Sequence, residues 1–268
     1  MVIGENINAS NKAVAEAIDN RNEEFLVGLA RAQAQAGADF IDVNAGGGHG
    51  SPEKTASAIR WLVGIIQAAV DKPLALDSDS PEVIEAALKE YRGEKLIINS
   101  VTAEPARLES IGPLVAERKA WVIALAMGTE GIPALVEERV AACERIMAHL
   151  NGLGVTAEQV LFDPLVLPIA VDTSQGLVTL KTIEQIKARY PEARTVMGLS
   201  NVSYGLPKRK LVNRAFLLMA AHAGLDAVIV DPLDSKAMSL IKVADLLTGK
   251  DPSCRAYLRA HRKGGIVD

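Results

Sequence analysis

Cysteine is scarce in this chain: Cys143 and Cys254 are the two thiols among 268 residues, and neither belongs to a CxxC pair. A disulfide framework or a thiolate metal cluster needs more than that. Both thiols read as buried or incidental, and a reducing, cytoplasmic setting fits them. Histidine is also thin, at four residues. His49 falls in a glycine loop and His149 and His222 fall near helix ends, so grouped ligands for zinc or iron are lacking and no metal is expected. Aromatics make up 4% of the chain, and no apolar run approaches the roughly 18 residues that span a membrane. The N-terminus enters directly at Val2-Ile3-Gly4, without the charged region or cleavage site of a signal peptide. The net charge of −4 comes without any long Lys/Arg block, and Lys208-Arg209-Lys210 is too short for a phosphate-backbone footprint. Neither membrane nor nucleic acid is expected as a partner.

What the chain has is aliphatic residues in short, regularly spaced runs. Apolar stretches recur at 2–3, 40–43, 74–76, 96–98, 121–125, 160–162, 196–199 and 227–230. Each is too short for a helix and is bounded by turn or polar residues. Helical spacing fills the intervals, over 23–36, 53–70, 81–91, 105–118, 133–150, 177–190, 211–223 and 235–247. Prolines following Ser51, Ser80 and Glu104 mark helix starts, and glycines in "AGAD" (36–39), "LGV" (153–155) and "AHAGLDA" (221–227) mark helix ends. Strict alternation implies parallel strands joined by helical crossovers. Eight such repeats predict an α/β fold, a closed (β/α)8 TIM barrel, as one domain over 1–268 with 251–268 as a C-terminal tail. Arg255, Arg259, Arg262 and Lys263 make that tail a basic surface helix or a subunit contact. An open doubly wound sheet is the competing fold, but its G-x-G-x-x-G turn leading into a helix is missing. "NAGGGHG" (44–50) has other spacing and reads as a loop on the top face.

In such barrels the chemistry sits where the strands end. Those ends carry Glu5, Asn6 and Asn8, then Asp42 and Asn44, Asp77 to Asp79, Asn99 and Ser100, Asp163, Ser200 and Asn201, and Asp231. Only the fifth end, "ALAMGTEG" (124–131), has no carboxylate or amide before Thr129 and Glu130. Any one Asp or Asn serves equally well as a turn former or helix cap; a whole ring of them points to a binding site. The ring is rich in acceptors and carboxamides and poor in cations, so a phosphoryl substrate fits badly. A Mg²⁺ site built from Asp42, Asp77 and Asp163 stays open. The lining suits a flat, neutral heterocycle with several N–H donors, such as a reduced pterin. A carboxylate pairs with adjacent N–H groups, and an Asn both donates and accepts.

The stretches "IGENIN" (3–8), "FIDVNAG" (40–46), "LALDS" (74–78), "IINS" (97–100), "FDPLVLP" (162–168) and "GLSNVSYGLPKR" (198–209) resemble the methyltetrahydrofolate:corrinoid protein methyltransferases. These are pterin-binding enzymes related to the folate domain of cobalamin-dependent methionine synthase. The resemblance spans almost the whole chain. It implies that tetrahydrofolate or methyltetrahydrofolate is the substrate, with Asp77, Asn99 and Asp163 as pterin contacts. It places Asn201 beside N5 as the catalytic carboxamide. Glu5, Asp42, Asn44 and Ser200 are neighbours in the same site, and Arg209 either meets the aminobenzoyl-glutamate tail or is an ordinary exposed arginine.

The chain contains no D-x-H-x-x-G corrinoid signature. The resemblance therefore implies a cobalt corrinoid delivered by a partner protein at the top of the barrel, past the loop at 46–50 and "MGTEG" (127–131). It further suggests a homodimer. Dihydropteroate synthase, which needs a pyrophosphate site, and a non-catalytic folate-binding protein are the alternatives. A barrel aldolase would need a lysine at a strand end, and none is there. The direction of transfer, the upstream methyl donor and the proton source for N5 are left open.

Overall fold

A computed structural model of the protein describes residues 1–46 and 51–267. The histidine and glycines at 47–50, within the top-face loop, therefore lie outside the described residues. Eight parallel strands form a closed barrel in sequence order, β1 pairing with β8 to complete it. They are β1 (Val2–Asn8), β2 (Phe40–Asn44), β3 (Leu74–Asp77), β4 (Leu96–Val101), β5 (Trp121–Leu125), β6 (Val160–Asp163), β7 (Arg194–Gly198) and β8 (Ala227–Val230). The helices are α1 (Lys12–Asp19), α2 (Glu23–Gln35), α3 (Pro52–Ala69), α4 (Pro81–Glu90), α5 (Pro105–Arg118), α6 (Val136–Gly152), α7 (Gln175–Arg189), α8 (Arg209–Ala223), α9 (Ser235–Leu247) and α10 (Arg255–Arg262). The (β/α)8 TIM barrel read from the sequence is the fold of the chain.

Local chemistry sets the helix boundaries. The hydroxyl oxygens of Ser51 and Ser80 accept from the backbone N–H groups of Lys54 and Val83, and Pro52 and Pro81 follow in the first turn. At the end of α8, Gly224 takes φ +110°, a left-handed conformation that glycine adopts without steric cost. Among the described residues, no helix is long and apolar enough to cross a membrane.

One inward side chain from each strand fills the barrel interior: Ile3, Phe40, Ala75, Ile97, Ile123, Leu161, Val196 and Ala227. Strand side chains alternate between faces. Ile41, Val43, Leu74, Leu76, Ile98, Val122 and Phe162 accordingly lie fully buried on the outside, beneath the helices. The same period places the next inward layer two residues on, towards the mouth, at Glu5, Asp42, Asp77, Asn99, Leu125, Asp163, Gly198 and Ile229. The apolar plug ends there and a largely polar layer begins.

Some boundaries differ from the sequence reading. The first strand runs on to Asn8, so Glu5, Asn6 and Asn8 lie within it, and the short helix α1 follows. Asn11 starts α1 by accepting from the N–H of Ala13 at 3.0 Å. The seventh strand ends at Gly198, and Leu199–Ser203 forms a 3-10 turn anchored by buried Leu199 and Val202. The helix expected from residue 133 begins at Val136, because the carbonyl of Pro133 is taken by Nε of Arg139 at 2.9 Å. The basic tail forms α10 on the surface.

Candidate functional site

A cavity of about 730 Å³ opens at the C-terminal ends of the strands. Its volume suits a small organic ligand, for which pockets of roughly 300–1,000 Å³ are usual. Strand residues Glu5, Asn6, Asn8, Asp42, Asp77, Asn99 and Gly198 line it, with Ser200 and Asn201 from the 3-10 turn, Arg209 from α8 and Asp231 beyond β8. Val14 of α1 and Phe25 and Leu29 of α2 add an apolar wall. Sequence reasoning missed that wall.

Carboxylates and carboxamides pair across neighbouring strands. Nδ2 of Asn44 donates to Oδ2 of Asp77 at 2.8 Å, and Nδ2 of Asn99 donates to Oδ1 of Asp42 at 3.3 Å. Asp77 and Asn99 are themselves register partners on β3 and β4. Nδ2 of Asn6 donates to Oδ1 of Asp231 at 2.9 Å, joining the two sides of the barrel closure, while the buried Oδ1 of Asn6 has no partner. Each pairing fixes a carboxylate rotamer before any ligand arrives, and an acceptor is left over where a ligand N–H can meet it.

Burial raises the pKa of Glu5, Asp42 and Asp77. Glu5 is pushed up to about 7 by desolvation, with Asp231 adding to the effect and Arg209 opposing it. Desolvation, reinforced by the Asp77 charge, holds Asp42 well above the ordinary carboxylate range despite the Asn99 hydrogen bond. Desolvation raises Asp77 as well, against the Asn44 hydrogen bond. Protonatable acids side by side on a desolvated wall suit a neutral, N–H-rich ligand better than an anion.

Two of the residues singled out from the sequence stand apart from the cavity lining. Asn44 is turned to Asp77 and also accepts from the N–H of Gly46 at 2.7 Å, so it orients the site from behind. Asp163 lies buried at the end of β6, where Oδ1 accepts from the N–H of Leu165 at 2.8 Å. Desolvation raises it to about 7, opposed by the Leu165 N–H and by Arg139. Arg209 lines the cavity, but Nε donates to Oγ of Ser203 at 3.1 Å and Nη2 to the carbonyl of Ser200 at 2.6 Å. It braces the turn that presents Ser200 and Asn201. Asn201 itself stands exposed at the rim.

Two further arginines hold the strand ends. Arg107 of α5 donates from Nε and Nη2 to the carbonyl of Ser100 at 3.0 and 2.7 Å, from Nη2 to that of Ser78 at 2.6 Å, and from Nη1 to that of Asp79. It thus ties together the chain just past Asp77 and just past Asn99. Arg139 of α6 is fully buried and donates to the carbonyls of Pro164 and Leu165, next to Asp163. Arginine in a helix usually reads as a solvated face, and the carbonyl partners carry no sequence signal. Among the described residues, no group of three or more His, Cys, Asp or Glu is placed to hold a metal ion. Asp42, Asp77 and Asp163 do not converge as the Mg²⁺ alternative required.

Comparison with known proteins agrees with this geometry. The family model described as pterin binding enzyme matches residues 4–231. The methylcorrinoid:tetrahydrofolate methyltransferase of Eubacterium limosum is 34% identical over 99% of this chain and 97% of its own length. The methionine synthase of Mycobacterium tuberculosis (strain ATCC 25618 / H37Rv) is 33% identical over 86% of this chain, which spans 20% of that larger protein. Among solved structures, the dihydropteroate synthase of Yersinia pestis in complex with a sulfonamide drug superposes with a TM-score of 0.71, covering 93% of this chain and 94% of its own, at 16% identity. That likeness concerns the fold alone. The chain belongs to the pterin-binding enzyme family, within its methyltetrahydrofolate:corrinoid protein methyltransferases.

Proposed function

We propose that this chain is a methyltransferase that moves a methyl group between N5 of tetrahydrofolate and the cobalt of a corrinoid held on a separate protein. One observation carries the reading: paired carboxylates and carboxamides, Asn44 with Asp77 and Asn99 with Asp42, lie beneath the exposed carboxamide of Asn201. The lower layer grips the aminopyrimidine edge of a pterin, its acids accepting from the ring N–H groups. Asn201 then stands beside N5 at the rim, where a bulky corrinoid reaches the methyl group.

Breaking the methyl–N5 bond leaves charge on a poor leaving nitrogen. A carboxamide has no proton to give at ordinary pH, but its N–H stabilises the nitrogen as that charge develops. Loss of one such oriented donor typically costs about 10²–10³-fold in rate. The same site serves both directions, since one transition state joins them. Asp163, outside the cavity lining, supports the pterin pocket from behind at the end of β6, held by Leu165 and backed by Arg139. Arg209 supports Asn201 through the turn at 199–203.

The corrinoid protein docks over the open mouth, and Thr129 and Glu130, exposed at the tip of the loop after β5, meet it there. Two copies of the chain associate through the groove of about 410 Å³ between α7 and α8, whose lining includes the exposed Leu177, Leu211 and Met219. Both cysteines are free, which supports a reducing cytoplasmic setting.

Anaerobic incubation with isotopically labelled methylcorrinoid protein and tetrahydrofolate tests the reading: the label is expected in methyltetrahydrofolate. Condensation of a pterin pyrophosphate with p-aminobenzoate, without any methyl exchange, would instead identify a dihydropteroate synthase.

A further inference from the structure

The carboxylates that line the cavity are Glu5, Asp42, Asp77 and Asp231. Asp42 accepts from Asn99, Asp77 from Asn44 and Asp231 from Asn6. Among the described residues, no side chain donates a hydrogen bond to the carboxylate of Glu5, although it stands in the same wall. A carboxylate that accepts an N–H is favoured as the anion; for Glu5 that help comes from the Asp231 backbone, and burial outweighs it. Glu5 is also well placed for proton exchange. It lies one inward step above the apolar plug at Ile3, and the cavity it lines is the one that Asn201 overlooks. Its charged neighbours are Asp231 past β8, Arg209 on α8 and Asp42 on β2.

We propose that the carboxyl group of Glu5 gives a proton to N5 of the folate as the methyl group leaves, and takes it back when the methyl group returns. The proposal rests on the methyl-transfer reading above. Towards cobalt, the electron pair of Co(I) attacks the methyl carbon, and the carbon–N5 bond breaks with its pair going to N5. The proton of Glu5 forms the N5–H bond. The products are methyl–Co(III), tetrahydrofolate and the Glu5 carboxylate. In reverse, N5 attacks the methyl carbon, the carbon–cobalt pair returns to cobalt as Co(I), and the N5 proton passes to the Glu5 carboxylate. No other oxidant or base enters either balance.

The electrostatics agree with this geometry. Burial holds Glu5 at about 7, helped by Asp231 and opposed by Arg209, so both protonation states are populated near neutrality. That is the condition for one group to act as acid in one direction and base in the other. Asp163 also titrates near 7, but it is fixed by the Leu165 N–H and is not part of the cavity lining. Asn201 and Glu5 then divide the work: the carboxamide stabilises N5 and the carboxyl supplies the proton.

Stopped-flow methyl transfer in both directions across pH 5.5 to 9, with folate affinity measured separately by calorimetry, tests the proposal on wild type, Glu5→Gln, Glu5→Asp and Asp163→Asn. In wild type, transfer towards cobalt is expected to fall as pH rises through about 7, and the reverse reaction to rise over the same range. Glu5→Gln is expected to keep its folate affinity, to lose both limbs and to slow by about 10²–10⁴-fold. Should Glu5→Gln fail to fold by circular dichroism, Glu5→Asp carries the test, with slower transfer and a displaced limb expected. A foldable Glu5 variant with the wild-type rate and both limbs intact overturns the proposal, as do limbs that vanish in Asp163→Asn but not in the Glu5 variants. Those outcomes leave the methyl-transfer reading standing; a wild type that transfers nothing in either direction removes both.

Discussion

Asn44 donates its amide hydrogen to Asp77 across 2.8 Å, from the end of one barrel strand to the end of the next. The bond fixes the Asp77 carboxylate before a ligand arrives and leaves its other oxygen available to the cavity. Asp77→Ala is therefore expected to weaken tetrahydrofolate binding by roughly tenfold to a hundredfold, the equivalent of one hydrogen bond to a charged or strongly polar group. Asn44→Ala is expected to act in the same direction with a smaller effect. Calorimetry on both single variants and the double variant checks this: less-than-additive losses show that Asn44 works through Asp77.

Asn201 has the opposite profile. It stands on a braced turn at the rim and shares no hydrogen bond with the paired carboxylates beneath it. Asn201→Ala is expected to retain most of the folate affinity while losing about 10²–10³-fold in turnover. Single-turnover rates beside calorimetric affinities separate the two quantities. Wild-type turnover in that variant would remove Asn201 from the N5 position.

Arg107 holds the carbonyls of Ser78, Asp79 and Ser100, which follow Asp77 and Asn99 along the chain. Arg107→Ala frees two strand ends at once, leaving acceptors that water only partly reaches. A stability loss of about 1–3 kcal/mol in urea unfolding is expected, together with weaker folate binding. Arg107→Lys recovers part of the stability but less of the affinity, because an ammonium group cannot span two strand ends as a planar fork does. Equal recovery of both quantities would argue against a role in aligning Asp77 with Asn99.

Asp163 links stability to pH. Its pKa in the folded chain, about 7, lies above the ordinary 3.8, so between those values the folded form binds a proton that the unfolded form releases. Stability therefore falls as pH rises through this window and levels off above it. Asp163→Asn keeps an acceptor for the Leu165 N–H and removes the cost of a buried charge. It is expected to exceed wild-type stability at pH 8 by on the order of 1–4 kcal/mol, with the gap closing towards pH 4. Urea unfolding at the two pH values measures the gap; equal stability at pH 8 would mean that Asp163 is not desolvated.

The proposed subunit contact is open to a direct test. Leu211 is 71% exposed beside Met219, on a groove that solvent alone covers in one copy of the chain. Leu211→Glu with Met219→Glu is expected to convert a dimer to a monomer in light scattering, with little change in folate affinity. A wild type that is already monomeric would remove the contact.

Much of this was legible in the sequence because two periods coincide. Ile3, Phe40, Ala75, Ile97 and Leu161 lie inside the barrel, and stepping two residues on from each reaches Glu5, Asp42, Asp77, Asn99 and Asp163. The alternation that marks a strand therefore also marks the polar layer. Other features lacked such a signal. The helix α1 is only eight residues long, and its buried Val14, Ala17 and Ile18 are too few to stand out in the sequence, yet Val14 helps to wall the cavity. Arg107 and Arg139 reach backbone carbonyls on distant segments, and a carbonyl looks the same at every residue. Asn44 shares its strand with Asp42, and only the rotamers show that it serves Asp77 from behind.

The most direct measurement of the central claim is the absorbance spectrum of a corrinoid protein reduced to Co(I), mixed anaerobically with methyltetrahydrofolate and catalytic amounts of this chain. The account predicts that the Co(I) bands give way to those of methyl–Co(III) at a rate proportional to the added chain, with one tetrahydrofolate formed per cobalt methylated. Unchanged Co(I) bands at folate concentrations that saturate the chain by calorimetry would contradict it and leave a folate-binding barrel without methyl transfer.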